Sequence, residues 1–354
     1  MLASMDIAFY RYSLLNRGGD RMVLEYANYL AEKGHRVTLY SSVDETVFRV
    51  APAIHCVRVP WPGRAGFLLW TGLHTLQHDI TVIDIIHLAP LVRCRGRLVY
   101  FAQADDIEYY GRRWQRAMID LLYRRFFRQN GICIAVYDHL TERFRLRYGA
   151  TICHTVTNGI DLETFFFEPD PELITAKKGR RALFFMARGD RYRKGYDLAL
   201  KVFDRLSETL GNDLELWVCG ERLEKSYRFP VRHFGVVDDD RLRQILSSAD
   251  ILFYPSRHEG FGLFPLEAMA CGCVVVTTDA VPYAREYNAI HTLDIGDAEG
   301  MADEIFRLVS SPEQLAAERK AGFGIARKFD LRISRRRFVE ILKEISGESD
   351  ANRN

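Results

Sequence analysis

Short, nearly uninterrupted apolar runs alternate with longer segments whose apolar residues recur every three or four positions, and this rhythm continues along most of the chain. The first run, residues 6–10, predicts a strand that ends in a loop carrying Gly18-Gly19. From Asp20 the spacing of Met22, Leu24, Tyr26, Ala27 and Leu30 predicts a helix stopped at Gly34, and residues 37–40 predict the next strand. Further strands are expected over 82–86, 98–102 and 132–136, with helices over 112–128 and 138–148. In the second half the strands are expected over 182–187, 214–219, 249–255 and 274–278. Helices are expected there over 196–206, 239–248 and 265–270, with a last one over 331–345. Strands that are apolar throughout and separated by amphipathic helices are the mark of parallel sheets buried on both faces. The fold class is α/β, with doubly wound, Rossmann-like domains whose ligand edge lies at the C-terminal ends of the strands.

Two segments break the rhythm. Within residues 52–72, Trp61, Phe67, Leu68, Leu69 and Trp70 crowd a stretch interrupted by Pro60, Pro62, Gly63, Gly66 and Gly72, which predicts an apolar loop. Such a loop either tucks against its domain or faces an apolar partner, and Arg58 and Arg64 beside it suit a membrane interface. Residues 168–181 are polar, carry two prolines and predict a linker. The expected organisation is an N-terminal domain over 1–165, a linker over 166–181, a second domain over 182–328, and a terminal helix within 329–354 that returns to the first domain.

Length and composition agree with this division. A chain of 354 residues is long for one core, and 48% apolar with 27% charged residues is ordinary for a globular protein. The net charge of +2 separates into +6 for residues 1–150 and −4 for the rest. That is too little for a nucleic-acid binder, and no basic-aromatic module is present. A basic face on the first half, with helix 112–128 carrying Arg112, Arg113, Arg116, Arg124, Arg125 and Arg128, suits anionic lipid or glycan. In that helix Met118, Leu121, Leu122 and Phe126 are expected to face the core. Seven scattered cysteines without a C-x-x-C pair predict reduced thiols and a cytoplasmic setting. No export signal and no apolar run of membrane-spanning length is read in the chain. His74 and His78 are spaced like zinc ligands, but Thr75 stands where a zinc protease needs its glutamate, so no metal is expected.

Candidate chemistry concentrates in residues 256–276, SRHEGFGLFPLEAMACGCVVV. Glu259 and Glu267 flank Gly260-Phe261-Gly262 and the start of a helix. Amides of a glycine loop and a helix N-terminus attract phosphate, whereas the two carboxylates repel it and are better acceptors for hydroxyl groups on either side. Strand 182–187 ends in Arg188-Gly189-Asp190-Arg191-Tyr192-Arg193-Lys194-Gly195. Cations at a strand end suit a diphosphate.

This stretch, with Ser256, Glu259, the Gly-Phe-Gly loop, Glu267-Ala-Met-Ala and Cys271-Gly272, resembles the signature of the family 4 glycosyltransferases, retaining enzymes of the GT-B fold. The resemblance implies two Rossmann-like domains facing a central cleft. It implies transfer of a hexosyl unit from a nucleotide-diphosphate sugar to a glycan or lipid-linked acceptor in cell-surface polysaccharide synthesis. Arg188 and Lys194 match the family's basic pair and would steady the leaving diphosphate, while Glu259 would serve the sugar and Glu267 the ribose. Gly18, Gly19, Gly260, Phe261, Gly262 and Leu263 would approach the donor. His87 resembles a family histidine near acceptor and sugar. Gln103 stands where relatives carry another histidine, and with Asp105 is a candidate acceptor or sugar contact. Asn158-Gly159-Ile160-Asp161 resembles the segment that ends the first domain. No cofactor and no metal are implied, and the expected place is the cytoplasm, peripheral on the inner face of the plasma membrane. The alternatives are a non-catalytic nucleotide- or glycan-binding partner subunit and a sugar-nucleotide epimerase on the same fold.

Overall fold

A computed structural model describes residues 4–61 and 63–351, so Pro62 and the extreme ends of the expected domains lie outside the described residues. The chain divides into two compact units, one made of Met1–Asn158 and Arg332–Asn354, the other of Gly159–Leu331.

The first unit is built on a seven-stranded sheet. Its strands are β1 Asp6–Tyr10, β2 Arg36–Ser41, β3 His55–Arg58, β4 Ile80–Ile83, β5 Arg97–Ala102, β6 Ile132–Ala135 and β7 Cys153–Thr155. They lie in the order β7-β6-β5-β4-β1-β2-β3, and every pairing is parallel. The six-stranded sheet of the second unit holds β8 Arg181–Ala187, β9 Leu214–Gly220, β10 Val231–Gly235, β11 Ile251–Tyr254, β12 Val274–Thr278 and β13 Ile290–Leu293. Its order is β10-β9-β8-β11-β12-β13, again all parallel. Each sheet reverses its winding once, between β1 and β4 and between β8 and β11. Loops leaving two such neighbouring strands diverge to opposite faces and open a crevice at their C-terminal ends.

Helices α1 Gly18–Glu32, α2 Gly63–Leu73, α3 Arg113–Arg128 and α4 Asp138–Tyr148 serve the first unit. The second carries α5 Pro171–Ala176, α6 Tyr196–Thr209, α7 Asp239–Ser248, α8 Leu263–Ala270, α9 Ala298–Val309 and α10 Pro312–Lys328, and the last helix is α11 Leu331–Ala351. Helix α6 shows how pattern becomes packing. Leu198, Ala199, Val202, Phe203 and Leu206 form one stripe and are all buried. Burying a leucine or phenylalanine side chain contributes about 1.5–3 kcal/mol, enough to outweigh a short helix's weak intrinsic preference.

Several expectations need correction. Residues 63–73 form α2, not a loop. Phe67 is buried against Tyr10 and Tyr12, with ring centroids at 5.1 and 5.4 Å, and the Thr71 hydroxyl lies 2.6 Å from that of Tyr10. These contacts hold a helix that its glycines disfavour. The strand expected over 82–86 ends at Ile83, because Asp84 is taken up in an ion pair with Arg11 and Ile86–Leu88 turn as a short 3-10 helix. Gly18 and Gly19 begin α1 and do not form a loop ahead of it. In α3 the buried residues are Ile119, Tyr123, Phe126 and Phe127, while Met118 and Leu121 are exposed. The helix is rotated from the expected setting so that Tyr123 can donate to or accept from Tyr100 at 3.1 Å and meet Asp106 N–H at 2.9 Å.

Residues 166–181 lie within the second unit. Asp170 caps α5, with Pro171 in its first turn, and pairs with Arg241 at 2.6 Å. Lys177 reaches the buried Asp250 at 2.9 Å. The prolines and charges that read as a linker serve here as caps and ion pairs.

Candidate functional site

In the second unit the two loops at the winding reversal are knitted together. After β8 the chain passes Arg188, turns through 190–194 and enters α6 at Gly195. After β11 it passes Pro255 and Ser256 towards Glu259. The carbonyl of Arg193 accepts the Arg257 N–H at 2.7 Å, and the Ser256 hydroxyl oxygen lies 3.1 Å from the same carbonyl. Gly195 has φ +67°, and a Cβ there would lie 1.8 Å from the Pro255 carbonyl oxygen. Only glycine permits this approach, and it brings Lys194 to Glu259 although 64 residues separate them in sequence.

The Lys194 ammonium donates to Glu259 Oε1 at 2.6 Å and to the Tyr254 hydroxyl at 2.9 Å. Tyr254 and Ser256 donate to the same Oε1 at 2.6 and 2.7 Å. Among the described residues no partner meets Glu259 Oε2. The Tyr254 phenol is pushed well above its ordinary value by burial, and next by the charge of Glu259. Arg188 is exposed at the strand end with no ion-pair partner among the described residues. Arg191, by contrast, is paired with Glu221, its Nε at 2.9 Å.

The glycine loop leads directly into α8. Phe261 is buried against Tyr283 and Phe329, with centroids at 5.2 and 5.9 Å. Tyr283 donates its hydroxyl to the Gly262 carbonyl at 2.5 Å, fixing the loop from beneath. Gly262 takes φ +89° as the residue capping α8, and Leu263 is the first residue of the helix, two positions earlier than the sequence suggests. The amides at such a helix start have no intrahelical acceptor and stay available to an anion. Glu267 is buried within α8, 8% exposed, so the loop and both glutamates share one short unit.

Thus Lys194 and Glu259 meet on Tyr254, with Arg188 following the end of β8 and Glu267 within α8. Sequence reasoning missed Tyr254 and named Ser256 in the signature without giving it a role; their signal was their place, at and just after the end of an apolar strand and before Glu259.

In the first unit, Gly19 and Gln103 meet at the strand ends, since a Cβ on Gly19 would lie 3.0 Å from Gln103 Oε1. Gly18 is exposed at the start of α1. Arg11, at the end of β1, bridges Asp20 at 2.5 Å and Asp84 at 2.9 Å. His87 receives or donates a hydrogen bond with Tyr110 through Nε2 at 2.9 Å, and burial lowers its pKa. Asp105 is buried, caps the turn at Asp106–Tyr109 through Ile107 N–H, and accepts from Arg143 at 3.0 Å. Its neighbour Asp106 is pushed up to about 7 by burial, against the Ile86 N–H bond that favours its charged form. Among the described residues no group of three or more His, Cys, Asp or Glu is placed to hold a metal ion.

The family description "Glycosyltransferase Family 4" matches residues 16–164, and "Glycosyl transferases group 1" matches residues 168–323. The chain belongs to glycosyltransferase family 4. Among curated relatives of this family 4 chain is the phosphatidyl-myo-inositol mannosyltransferase of Mycobacterium leprae, 24% identical over a match covering 60% of this chain and 59% of that protein. Another is the lipopolysaccharide glucosyltransferase WaaG of Escherichia coli K12, 26% identical, covering 79% of this chain and 82% of its own. The match to the mycobacterial relative therefore spans under two thirds of its length. The crystal structure of WaaG, a glycosyltransferase involved in lipopolysaccharide biosynthesis, superimposes with a TM-score of 0.75 at 19% identity, over 95% of this chain and 99% of that one. That likeness establishes the GT-B fold for this family 4 chain. No helix among its described residues is long and apolar enough to cross a membrane.

Proposed function

We propose that this chain is a retaining glycosyltransferase that moves a hexosyl unit from a nucleotide-diphosphate sugar to a glycan or lipid-linked acceptor in cell-envelope synthesis. The observation that carries the reading is the meeting of Lys194 and Glu259 at the winding reversal of the second sheet, with Arg188 exposed after the end of β8, beside a glycine loop and a helix start. The bond from the anomeric carbon to the diphosphate breaks, and the acceptor hydroxyl forms a new bond on the same face. The hydroxyl proton passes to a diphosphate oxygen, so no protein carboxylate has to attack.

Charge then develops in two places. The departing diphosphate becomes more negative, where Arg188, Lys194 and the amides of Gly260, Phe261, Gly262 and Leu263 offset it. The anomeric carbon becomes more positive, where the carboxylate of Glu259 stabilises it and Oε2 accepts a sugar hydroxyl. With two cations at the leaving group, we expect the reaction to need neither metal nor cofactor. Glu267 holds the ribose hydroxyls, and Glu267→Ala is expected to weaken nucleotide binding about tenfold in calorimetry, the scale of a lost hydrogen bond to a charged group. Unchanged affinity would count against the ribose assignment.

In the first unit Gly18 and Gly19 let the start of α1 approach the donor phosphates, and Gln103 and His87 serve the acceptor side. Asp105 acts through the turn it caps. The two relatives are named for adding a mannosyl or glucosyl group to phosphatidylinositol or lipopolysaccharide, which favours an acceptor with a lipid anchor. The most direct test is a thermal-shift panel of UDP, GDP, ADP and their common sugars. Transfer from the stabilising donor follows, with the anomeric configuration of the product read by NMR. An inverted product would reject the mechanism.

We further propose that the first unit works peripherally on the inner face of the membrane. Trp114, Met118 and Leu121 recur along one side of α3 and are exposed at 61%, 40% and 65%, flanked by Arg113, Arg116 and Arg125. Leu68, Leu69 and Leu73 are likewise exposed on α2. Such faces enter a lipid interface when basic residues frame them. Cosedimentation with vesicles containing phosphatidylglycerol is expected at low salt and should decline as salt rises. Absence of binding at low salt rejects the membrane proposal.

A further inference from the structure

The Tyr254 hydroxyl has one proton and two close partners. Lys194 carries only donors, so at 2.9 Å the phenol oxygen must accept from it. The phenol proton is then committed to Glu259 Oε1 at 2.6 Å. Burial and the Glu259 charge hold the phenol in its protonated form, so this polarity does not reverse. The ammonium lies 5.3 Å from the centre of the same ring and is kept on it as well as on the carboxylate. Tyr254 is therefore tied at once to the cation and to the anion.

The consequence lies in which carboxylate oxygen is used. Lys194, Tyr254 and Ser256 all donate to Oε1, at 2.6, 2.6 and 2.7 Å. A carboxylate oxygen that already accepts three donors has no room for a fourth. The carboxylate plane is thereby locked, and Oε2 is the oxygen presented outward. We propose that Tyr254 is a positioning residue that joins Lys194 to Glu259 at Oε1 and so reserves Oε2 for the transferred sugar. This rests on the glycosyltransferase reading of the same site and adds a residue to it.

Ser256 shares in orienting the carboxylate, but its single hydroxyl proton goes to Oε1 and it has no hydrogen bond with Lys194. Tyr254 alone among the three has hydrogen bonds to both charged groups. When donor arrives, the diphosphate draws on the Lys194 ammonium, and the phenol keeps that ammonium within reach of the carboxylate while it does so.

A double-mutant cycle tests this, with single-turnover consumption of UDP-glucose and GDP-mannose as the readout, so that slow variants stay measurable. Tyr254→Phe keeps the ring and removes the hydroxyl. It is expected to slow turnover about tenfold, the range for a hydrogen bond to a charged group, with donor KM changed less than about twofold and Tm unaltered. In the Glu259→Gln background the same substitution is expected to change turnover by less than about twofold, because the second carboxylate oxygen that Tyr254 reserves for the sugar is already gone. A full, independent loss in that background overturns the proposal, whether or not Tm falls, and so does wild-type turnover of Tyr254→Phe. If Tyr254→Phe does not fold, Ser256→Ala takes its place in the same cycle, and additivity with Glu259→Gln overturns the locking of Oε1. Wild-type turnover of Glu259→Gln alone is the separate result that rejects the glycosyltransferase assignment of the site.

Discussion

Glu259→Gln is expected to lower hexosyl transfer at least ~100-fold, the scale for removing one positioned electrostatic group in a water-poor site. The reason is geometric as well as electrostatic. Glutamine offers one oxygen and one amide nitrogen where the carboxylate offers two oxygens. With its oxygen on Lys194, Tyr254 and Ser256, its NH2 faces the sugar, where it neither accepts a hydroxyl proton nor offsets positive charge at the anomeric carbon. With the amide turned over, it sets a donor against Lys194. Lys194→Ala is expected to cost a similar factor by removing a cation from the leaving group. Steady-state turnover with the preferred donor checks both, and Tm should move by only a few degrees. Wild-type turnover in both variants would remove the mechanism.

Gly195→Ala is expected to damage stability and transfer together. Its φ of +67° disfavours a side chain by about 1–2 kcal/mol. The added Cβ would also press on the Pro255 carbonyl at 1.8 Å, and relieving such overpacking typically costs a further ~1–3 kcal/mol. Relief requires the loop after β8 to part from the loop after β11, which separates Lys194 from Glu259. Gly189→Ala is the control, because Gly189 has φ +81° and nothing within 4 Å of its added Cβ. It should show the backbone cost alone in thermal unfolding and keep most of its turnover. Equal behaviour of the two variants would reject the close approach as the element that assembles the site.

The strand-helix rhythm was legible because burial on both faces leaves a parallel strand largely apolar, as in Ile251–Tyr254 and Val274–Thr278, every residue of which is buried. Glycines and flanking charges marked the candidate site for the same local reason, since a glycine loop at a helix start exposes amides whatever surrounds it. Errors fell where a distant partner overrode local preference. Phe67 and Thr71 found Tyr10 and made a helix of a glycine-rich segment. Asp84 found Arg11 and ended a strand early. Lys177 and Asp170 found Asp250 and Arg241 and drew an apparent linker into the second unit.

The same distinction holds within the site. Each of Arg188, Lys194, Glu259 and Glu267 could be picked from the chain as a charge near a strand end or a glycine loop, because those features are properties of neighbouring residues. Their pairing could not, because it depends on β8 lying beside β11 and on two loops approaching at Gly195. Sequence had given Lys194 to phosphate and Glu259 to sugar as separate tasks, while the fold ties them through Tyr254. Order along the chain thus specified the elements and the residue types, through backbone propensity and apolar spacing. The choice of which charges touch, and which oxygen of Glu259 is left outward, came from strand adjacency, since hydrogen bonds act over a few ångströms and only packing brings residues 194 and 259 within that range.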